Sequence, residues 1–333
     1  MRRARSPIAL DFGDHAVKAV QLDLRGGELH VRAAAHTSLA NGEDADLAER
    51  QLAAAHCVLR QASFRGREVR IALPLPAVTT RHLRLPNAQL EEAGARIAET
   101  IASEPGAGQA VRICPLPVAD LLDQGEHQRE FVCCIAEDRV VDDAIARCER
   151  LGLAPVAIEL APLAQCRPLL RGAPQESFAL VDFGVRSTRF VLVRAGAPVL
   201  LRVVPFGGRR LQATLDQRLQ LDADTLADLA AEPAEAELLQ QAVGDALEPV
   251  LAPLLLRLAE GIRYCGSLFH GRTVTRLQLA GGSAPLPGLA TSLARAIGLS
   301  THVVDPLPGL DLPSTDNRAA WTTAVGLALG GLP

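Results

Sequence analysis

The sequence predicts a mixed α/β protein built from two related halves, with a small α/β domain inserted in the first half. Residues 8–22 and 179–193 each contain an apolar strand, Asp-Phe-Gly, a short polar turn and a second apolar strand. Both segments are typical of antiparallel hairpins. Similar segments this far apart in a chain indicate an internal duplication. Asp11 and Asp182 lie 171 positions apart, so each half has the size of a domain.

The remaining elements follow from hydrophobic periodicity and from start and stop signals. After the first hairpin, the pattern predicts strands at 68–76, 79–85, 131–136 and 154–159 and helices at 88–103 and 140–151. After the second hairpin it predicts helices at 209–219, 224–237, 236–265, 286–297 and 319–329, and an apolar strand from Leu277 into a glycine turn.

These elements divide the chain into three predicted parts. They are the N-terminal part of the first half (1–67), the inserted domain (68–165) and the second half (166–333). Within the second half we expect a helical subdomain at 208–270. We expect the last helix, at about 319–330, to pack back on the first half.

Composition excludes several classes of protein. Hydrophobic residues make up 48% of the chain, the net charge is −4, and no run of 18 apolar residues predicts a membrane span. Lys18 is the only lysine and follows Val17, which excludes a Walker A loop and a protein-kinase strand lysine. The seven cysteines include no CxxC pair, so we expect reduced thiols and a cytoplasmic protein.

The two hairpins carry the best candidates for chemistry. An Asp at a strand end is, taken alone, more often a turn cap than a ligand-binding residue. Two such residues in related hairpins instead suggest a shared site, where Asp11 and Asp182 would need a cation between them. Mg²⁺ held through water would fit, and the turn N–H groups would bind phosphate. Further candidates for the phosphates are Lys18, Ser187, Thr188 and either Arg186 or Arg189.

Two pairs of glycines could leave a flat surface beside a ligand. Gly281 and Gly282 follow an apolar strand, where a purine could lie. An ordinary strand-to-helix turn with Pro287 at the helix start explains the same pattern. Gly207 and Gly208 have the same two interpretations.

Three motifs together resemble those of the actin-like ATPase superfamily, whose halves have a ribonuclease H-like fold. They are DxGxxxxK at 11–18, DxGxxxT at 182–188 and GGxxxxPGL at 281–289. Within the superfamily the chain resembles the PilM-type type IV pilus assembly proteins, which are related to the cell-division protein FtsA. The details that carry this resemblance are Asp11–Val20, the insert pattern of Glu68–Cys166, Gly207–Leu211, Glu260 with Arg263, and the small-residue helix Ala324–Leu329.

The resemblance implies an actin-like protein that binds ATP or ADP with Mg²⁺. It implies phosphate-binding roles for Asp11, Gly13, Asp14, His15, Lys18, Asp182, Gly184, Ser187, Thr188, Gly207 and Gly208. It implies adenosine-binding roles for Glu260, Arg263, Gly281, Gly282, Ser283 and Pro287, and a water-mediated metal site at Asp11 and Asp182.

The resemblance also implies partners and a location. It predicts an adaptor at the inner face of the cytoplasmic membrane, which docks the cytoplasmic N-terminal tail of a PilN-like inner-membrane protein between the inserted domain and the first half. It further implies contacts with other pilus or secretion assembly proteins and self-association. Neither the resemblance nor the charge of the chain implies binding to nucleic acid.

One departure from the family affects the predicted activity. The first phosphate turn of the family is rich in Ser, whereas this chain has Gly13-Asp14-His15-Ala16. We expect an unpaired Asp14 carboxylate to weaken phosphate binding. No residue is an evident base for activating water, so we assign no catalytic residue and expect slow or no hydrolysis.

Three alternatives follow from the same sequence. A sugar or acetate kinase of the superfamily would need an acidic base and a polar substrate pocket, whereas residues 68–160 offer mainly Val, Leu, Pro and Ile. A degenerate scaffold would bind no nucleotide. An FtsA-type division protein would need a membrane-targeting amphipathic tail, which Leu329–Pro333 does not predict.

Overall fold

The computed structural model describes residues 3–40, 47–86, 92–103, 110–123, 125–220, 233–269, 274–313 and 317–333. Up to the second hairpin, the elements are β1 (Arg3–Arg5), β2 (Ile8–Phe12), β3 (Ala16–Arg25), β4 (Glu28–Ser38), α1 (Leu47–Gln61), β5 (Glu68–Leu73), β6 (Thr79–Pro86), α2 (Ala93–Ala102), β7 (Val111–Asp123), β8 (Glu126–Glu137), α3 (Asp138–Arg150), β9 (Ala154–Leu160) and α4 (Ala161–Leu170).

The second hairpin opens another run of strands and helices. Its elements are β10 (Phe178–Phe183), β11 (Thr188–Arg194), β12 (Ala197–Val204), α5 (Gly208–Leu219), α6 (Pro233–Leu268), β13 (Arg276–Gly281), α7 (Leu289–Ile297), β14 (Ser300–Val303), a 3₁₀ turn (Arg318–Trp321) and α8 (Thr322–Leu329).

The two large sheets repeat one topology. In the first, β4 pairs with β3 and the order continues β3-β2-β5-β9, with the short β1 beside β3. In the second, the order is β12-β11-β10-β13-β14. In each sheet the central hairpin strand pairs antiparallel with its hairpin partner and parallel with the next strand, β5 or β13. The predicted duplication of actin-like halves is therefore confirmed strand by strand.

The small third sheet has narrower limits than the predicted insertion at 68–165. Its order is β6-β8-β7, which places it between residues 79 and 137. Strands β5 and β9, inside the predicted limits, instead pair in parallel within the first sheet. The hydrogen bonds of β5 and β9 therefore join the small sheet to the first half at both ends.

A polar contact links the small sheet to the second half. Glu130 on β8 is 1% exposed, and its Oε1 accepts a hydrogen bond of 2.9 Å from the Tyr264 hydroxyl on α6. The same carboxylate lies 2.9 Å from His82 Nδ1 and 3.3 Å from Arg84 Nε, both on β6. Burial of the Glu130 carboxylate is thus offset by three partners.

The C-terminal helix α8 covers one face of the first sheet. Its Ala324, Val325 and Leu327 are fully buried in one cluster with Ala9 of β2 and Val20 of β3. Gly326 lies against α4, where an added Cβ would clash with the Ala164 carbonyl. The small residues of this helix therefore allow two helix backbones to approach closely.

Several element predictions need correction. Helices α1 and α4 and strand β7 were not predicted. The strand predicted at 68–76 ends at Leu73, before Pro74, and the helix predicted at 286–297 begins only after Gly288, whose φ is +75°. The first residues of the helix predicted at 88–103 and most of the acidic stretch at 224–237 lie outside the described residues. No helix of the described part is long and apolar enough to cross a bilayer.

Candidate functional site

A cavity of about 1110 Å³ lies between the two halves. Its volume is slightly above the usual range of roughly 300–1,000 Å³ for small-molecule sites. Its wall includes the turns of both hairpins and the glycine turn after β13. The predicted site residues found in this wall are Asp11, Gly13, Asp14, His15, Lys18, Asp182, Gly184, Ser187, Gly208, Gly281, Gly282 and Ser283.

Asp182 is held at the end of β10 by an ion pair and a hydrogen bond. The residue is 3% exposed, and its Oδ2 lies 2.8 Å from Arg189 Nη2 and accepts a 2.9 Å hydrogen bond from Gln165 Nε2. Arg189 is its direct cross-strand neighbour on β11. Gly281 packs against Oδ1, where an added Cβ would clash. The φ of Gly281 is +91°, a conformation that favours glycine.

Asp11 occupies the corresponding position of the first hairpin. It lies opposite Lys18 in the β2–β3 register. Burial raises the pKa of the Asp11 carboxyl, and the positive charges of Lys18 and Arg189 oppose that shift. Since the charge of Arg189 reaches Asp11, the two hairpin carboxylates share one electrostatic environment. Lys18 forms no ion pair within the described part of the chain and lines the cavity.

The turns of the two hairpins are joined by an ion pair between Asp14 and Arg186. Arg186 donates from Nε to Asp14 Oδ2 at 3.0 Å and from Nη2 to Oδ1 at 2.9 Å. The Asp14 side chain is 31% exposed and that of Arg186 42%. The expectation of an unpaired Asp14 is therefore wrong, because a guanidinium from the other half compensates its charge.

The N-terminus of α5 is fixed against the second hairpin. The backbone N–H of Gly208 donates to the Gly184 carbonyl at 2.8 Å, and that of Arg209 donates to the Val185 carbonyl at 3.1 Å. An added Cβ at Gly207 would clash with the same Gly184 carbonyl. This close approach places the start of α5 at the cavity wall, where its first N–H groups already donate to backbone carbonyls and only the partial positive charge of the helix dipole would favour an anion.

The glycine turn after β13 forms another part of the wall. Gly282 carries no side chain, and its carbonyl accepts a 2.7 Å hydrogen bond from Asn317 Nδ2. Ser283 lies so close to Gly208 that a Cβ added at Gly208 would clash with the Ser283 hydroxyl. The turn is therefore held between the 3₁₀ turn before α8 and the start of α5.

Five predicted site residues do not line the cavity: Thr188, Gly207, Glu260, Arg263 and Pro287. Thr188 is fully buried, and its hydroxyl donates to the Phe206 carbonyl at 2.8 Å. Glu260 pairs instead with Arg257 on α6 at 3.1 Å. Gly261, next to Glu260, packs α6 against Leu192 of β11 and Leu200 of β12, and Glu260 does not reach the cavity wall.

Sequence reasoning missed several polar residues of the wall. Gln165 is 2% exposed and bridges two elements, since its Nε2 donates to Asp182 Oδ2 and to Thr323 Oγ1, the latter at 2.8 Å. Its Oε1 has no hydrogen-bond partner in the described part of the chain. Asn317 was also missed. Both are single polar residues outside any motif, so no local signal could have indicated them.

The predicted Mg²⁺ does not fit the Asp182 end of the site. One Asp182 oxygen lies in an ion pair with Arg189 and accepts a hydrogen bond from Gln165, and the other lies against Gly281. Mg²⁺ needs oxygen ligands in an octahedral shell of its own, including waters that donate to nearby carboxylates. Among the described residues, no group of three or more His, Cys, Asp and Glu could hold a metal ion.

The family model of the type IV pilus assembly protein PilM matches residues 124–332. The chain belongs to the PilM family. A chain of a solved PilM–PilN type IV pilus biogenesis complex is 25% identical, with a TM-score of 0.73 over 98% of both chains. No curated protein sequence matches.

Two other solved structures share the fold of this PilM-family chain. The ethanolamine utilization protein EutJ from Carboxydothermus hydrogenoformans is 16% identical with a TM-score of 0.55, covering 99% of this chain and 90% of its own. MreB 5 of Spiroplasma citri, bound to AMPPNP, is 11% identical with a TM-score of 0.52, covering 97% and 94%. These likenesses support the actin-like fold.

Proposed function

We propose that this PilM-family protein is a nucleotide-binding adaptor of type IV pilus assembly. In this proposal it docks the cytoplasmic N-terminal tail of a PilN-like inner-membrane protein and lies at the inner face of the cytoplasmic membrane. The observation that carries the nucleotide part is the convergence of two repeat-related hairpins, with Asp11 and Asp182, on one cavity.

The chemistry of the cavity suits a nucleoside di- or triphosphate. Phosphates would lie between the hairpin turns, within reach of the Lys18 ammonium and the N-terminus of α5. The purine would lie on the surface left open at Gly281 and Gly282. MreB 5 of Spiroplasma citri, which shares the fold, is bound to AMPPNP. ATP and ADP both fit this description, and no step of the proposal passes through a metal ion.

Hydrolysis would be slow, because two of the three hairpin carboxylates are already engaged. Asp182 pairs with Arg189, and Asp14 pairs with Arg186. A general base must be able to accept a proton from the attacking water. The proposed role of the nucleotide is therefore to hold the two halves together rather than to be turned over.

The proposed partner site lies in another part of the same cavity wall. This part includes Pro74, Pro76 and Ala77, between β5 and β6, and Val140 and Arg147 of α3. These side chains offer apolar contacts and a positive charge to an extended peptide. The similar solved complex contains PilN. Since both proposed ligands would contact one cavity, nucleotide binding could shift the population of the form that accepts the tail.

The nucleotide part is tested by replacing Lys18. Lys18→Ala should weaken ATP and ADP binding about 10- to 100-fold, because a charge-assisted hydrogen bond to phosphate is lost. Isothermal titration of the full chain measures this change. Lys18→Arg, which keeps the charge, is the matched control and should retain most of the affinity. Unchanged affinity in Lys18→Ala would remove this residue from the site.

The partner part is tested with a peptide from the N-terminus of a PilN-like protein. The peptide should bind the full chain, and Val140→Glu should abolish that binding while nucleotide affinity is retained. Val156→Glu is the matched control, since Val156 is 49% exposed on β9 and lies outside the cavity wall. A peptide that does not bind the unmodified chain would contradict the adaptor role.

A further inference from the structure

Arg189 occupies the position in which a metal ion would balance the Asp182 carboxylate. The two residues are direct neighbours across the β10–β11 ladder, so the register of the hairpin fixes their proximity. Their ion pair of 2.8 Å is largely shielded from solvent, with side-chain exposures of 18% and 5%. A guanidinium in this position carries a permanent positive charge.

The guanidinium also fills the space beside the second phosphate turn. A Cβ added at Gly184 would lie 2.7 Å from Arg189 Nη2. The glycine therefore makes room for the arginine as well as for a ligand. A metal ion with its own water shell would have to displace the guanidinium from this space and leave its charge buried without a partner, which is costly.

Arg189 retains hydrogen-bonding capacity toward a ligand. It lines the cavity, and its Nε is buried without a hydrogen-bond partner among the described residues. A guanidinium presents five donors, and the ion pair uses one nitrogen, so donors remain for phosphate oxygens. Arginine is well suited to phosphate because two of its N–H groups can point to two oxygens at once.

We propose that Arg189 takes over the role of the divalent cation, so that this cleft binds nucleoside phosphates without requiring Mg²⁺. Arg189 cancels the Asp182 charge that would repel the phosphates and donates hydrogen bonds to them. Lys18 does the same opposite Asp11 on the first hairpin. This inference rests on the proposed nucleotide binding and specifies its chemistry.

The test compares ATP and ADP affinities of the full chain in excess EDTA and in excess MgCl₂, by isothermal titration. The unmodified protein should show Kd values that agree within about twofold in the two conditions. Arg189→Gln should lose about tenfold or more of its affinity in EDTA, and MgCl₂ should restore part of that loss. Arg194→Gln is the matched control, since Arg194 lies on the same strand but stacks on the Phe269 ring outside the cavity.

Each result separates the two proposals. Affinity of the unmodified protein that rises about tenfold or more with Mg²⁺ would overturn the role of Arg189 and leave nucleotide binding intact. No binding in either condition would overturn nucleotide binding itself, and this inference with it. If Arg189→Gln does not fold, Arg189→Lys replaces it and should lose metal-independent affinity, because an ammonium cannot make the two-point contact of a guanidinium. Undiminished affinity of Arg189→Lys in EDTA would overturn the need for the guanidinium.

Discussion

The ion pair between Asp14 and Arg186 predicts how one substitution changes both the folding free energy and the nucleotide affinity. Asp14→Asn removes one charge and keeps the size of the side chain. The pair is partly solvent-exposed, so its loss should cost about 0.2–1 kcal/mol of folding free energy. That corresponds to a fall in Tm of at most about 2–4 °C for a chain of this size.

The effect on nucleotide affinity should be larger and in the opposite direction. A carboxylate about 6 Å from a phosphate charge, in a medium of effective dielectric constant about 40, repels it by about 1.4 kcal/mol. Asp14→Asn removes this repulsion. We therefore expect ADP to bind about tenfold more tightly.

Titration of ADP into the unmodified protein and into Asp14→Asn measures the change. Asp138→Asn serves as the matched control, because Asp138 forms a similarly exposed ion pair of 3.1 Å with Arg112 on the inserted part of the chain. The control should leave ADP affinity unchanged. Weaker ADP binding by Asp14→Asn would refute the reasoning, since it would mean that the ion pair holds the hairpins in their binding geometry.

Three further substitutions follow from close contacts. Gly281→Ala should reduce nucleotide binding by about tenfold or more and lower Tm, because the position has a positive φ and faces a buried carboxylate; titration and thermal unfolding measure both effects. Gly326→Ala should destabilise the fold by about 1–3 kcal/mol through the clash with the Ala164 carbonyl, measured by denaturant unfolding. Tyr264→Phe should cost about 1 kcal/mol through a lost hydrogen bond to Glu130, and an unchanged Tm would show that this hydrogen bond contributes nothing.

The duplication was predictable because its signal is local and occurs twice. The two hairpins repeat strand, Asp-Phe-Gly, turn and strand, and each half then builds the same five-strand order. The limits of the insertion were not predictable in this way. Strands β5 and β9 have apolar patterns that suit any sheet, and only their pairing with β2 and with each other assigns them to the first half.

Site residues were likewise predictable only where they belong to a local sequence motif. Asp11, Asp182 and the glycine turn belong to motifs of fixed spacing, and the cavity brings them together. The partners that tune them do not belong to motifs. Gln165 lies in α4, whose Pro162 and Pro168 hide its helical character in the sequence. The pairing of Asp14 with Arg186 joins positions 172 residues apart, which no local pattern can reveal.

The contact between Glu130 and Tyr264 has a consequence for motion. The chain that forms the small sheet is joined to the first half through β5 and β9. The small sheet is also joined to the long helix α6 of the second half by the hydrogen bond between Tyr264 and Glu130. A hinge movement that widens the cleft must therefore either break this bond or carry the small sheet along with α6. In the second case, the part of the cavity that would receive a peptide changes width whenever the two halves move, and no further contact is needed to couple the two changes.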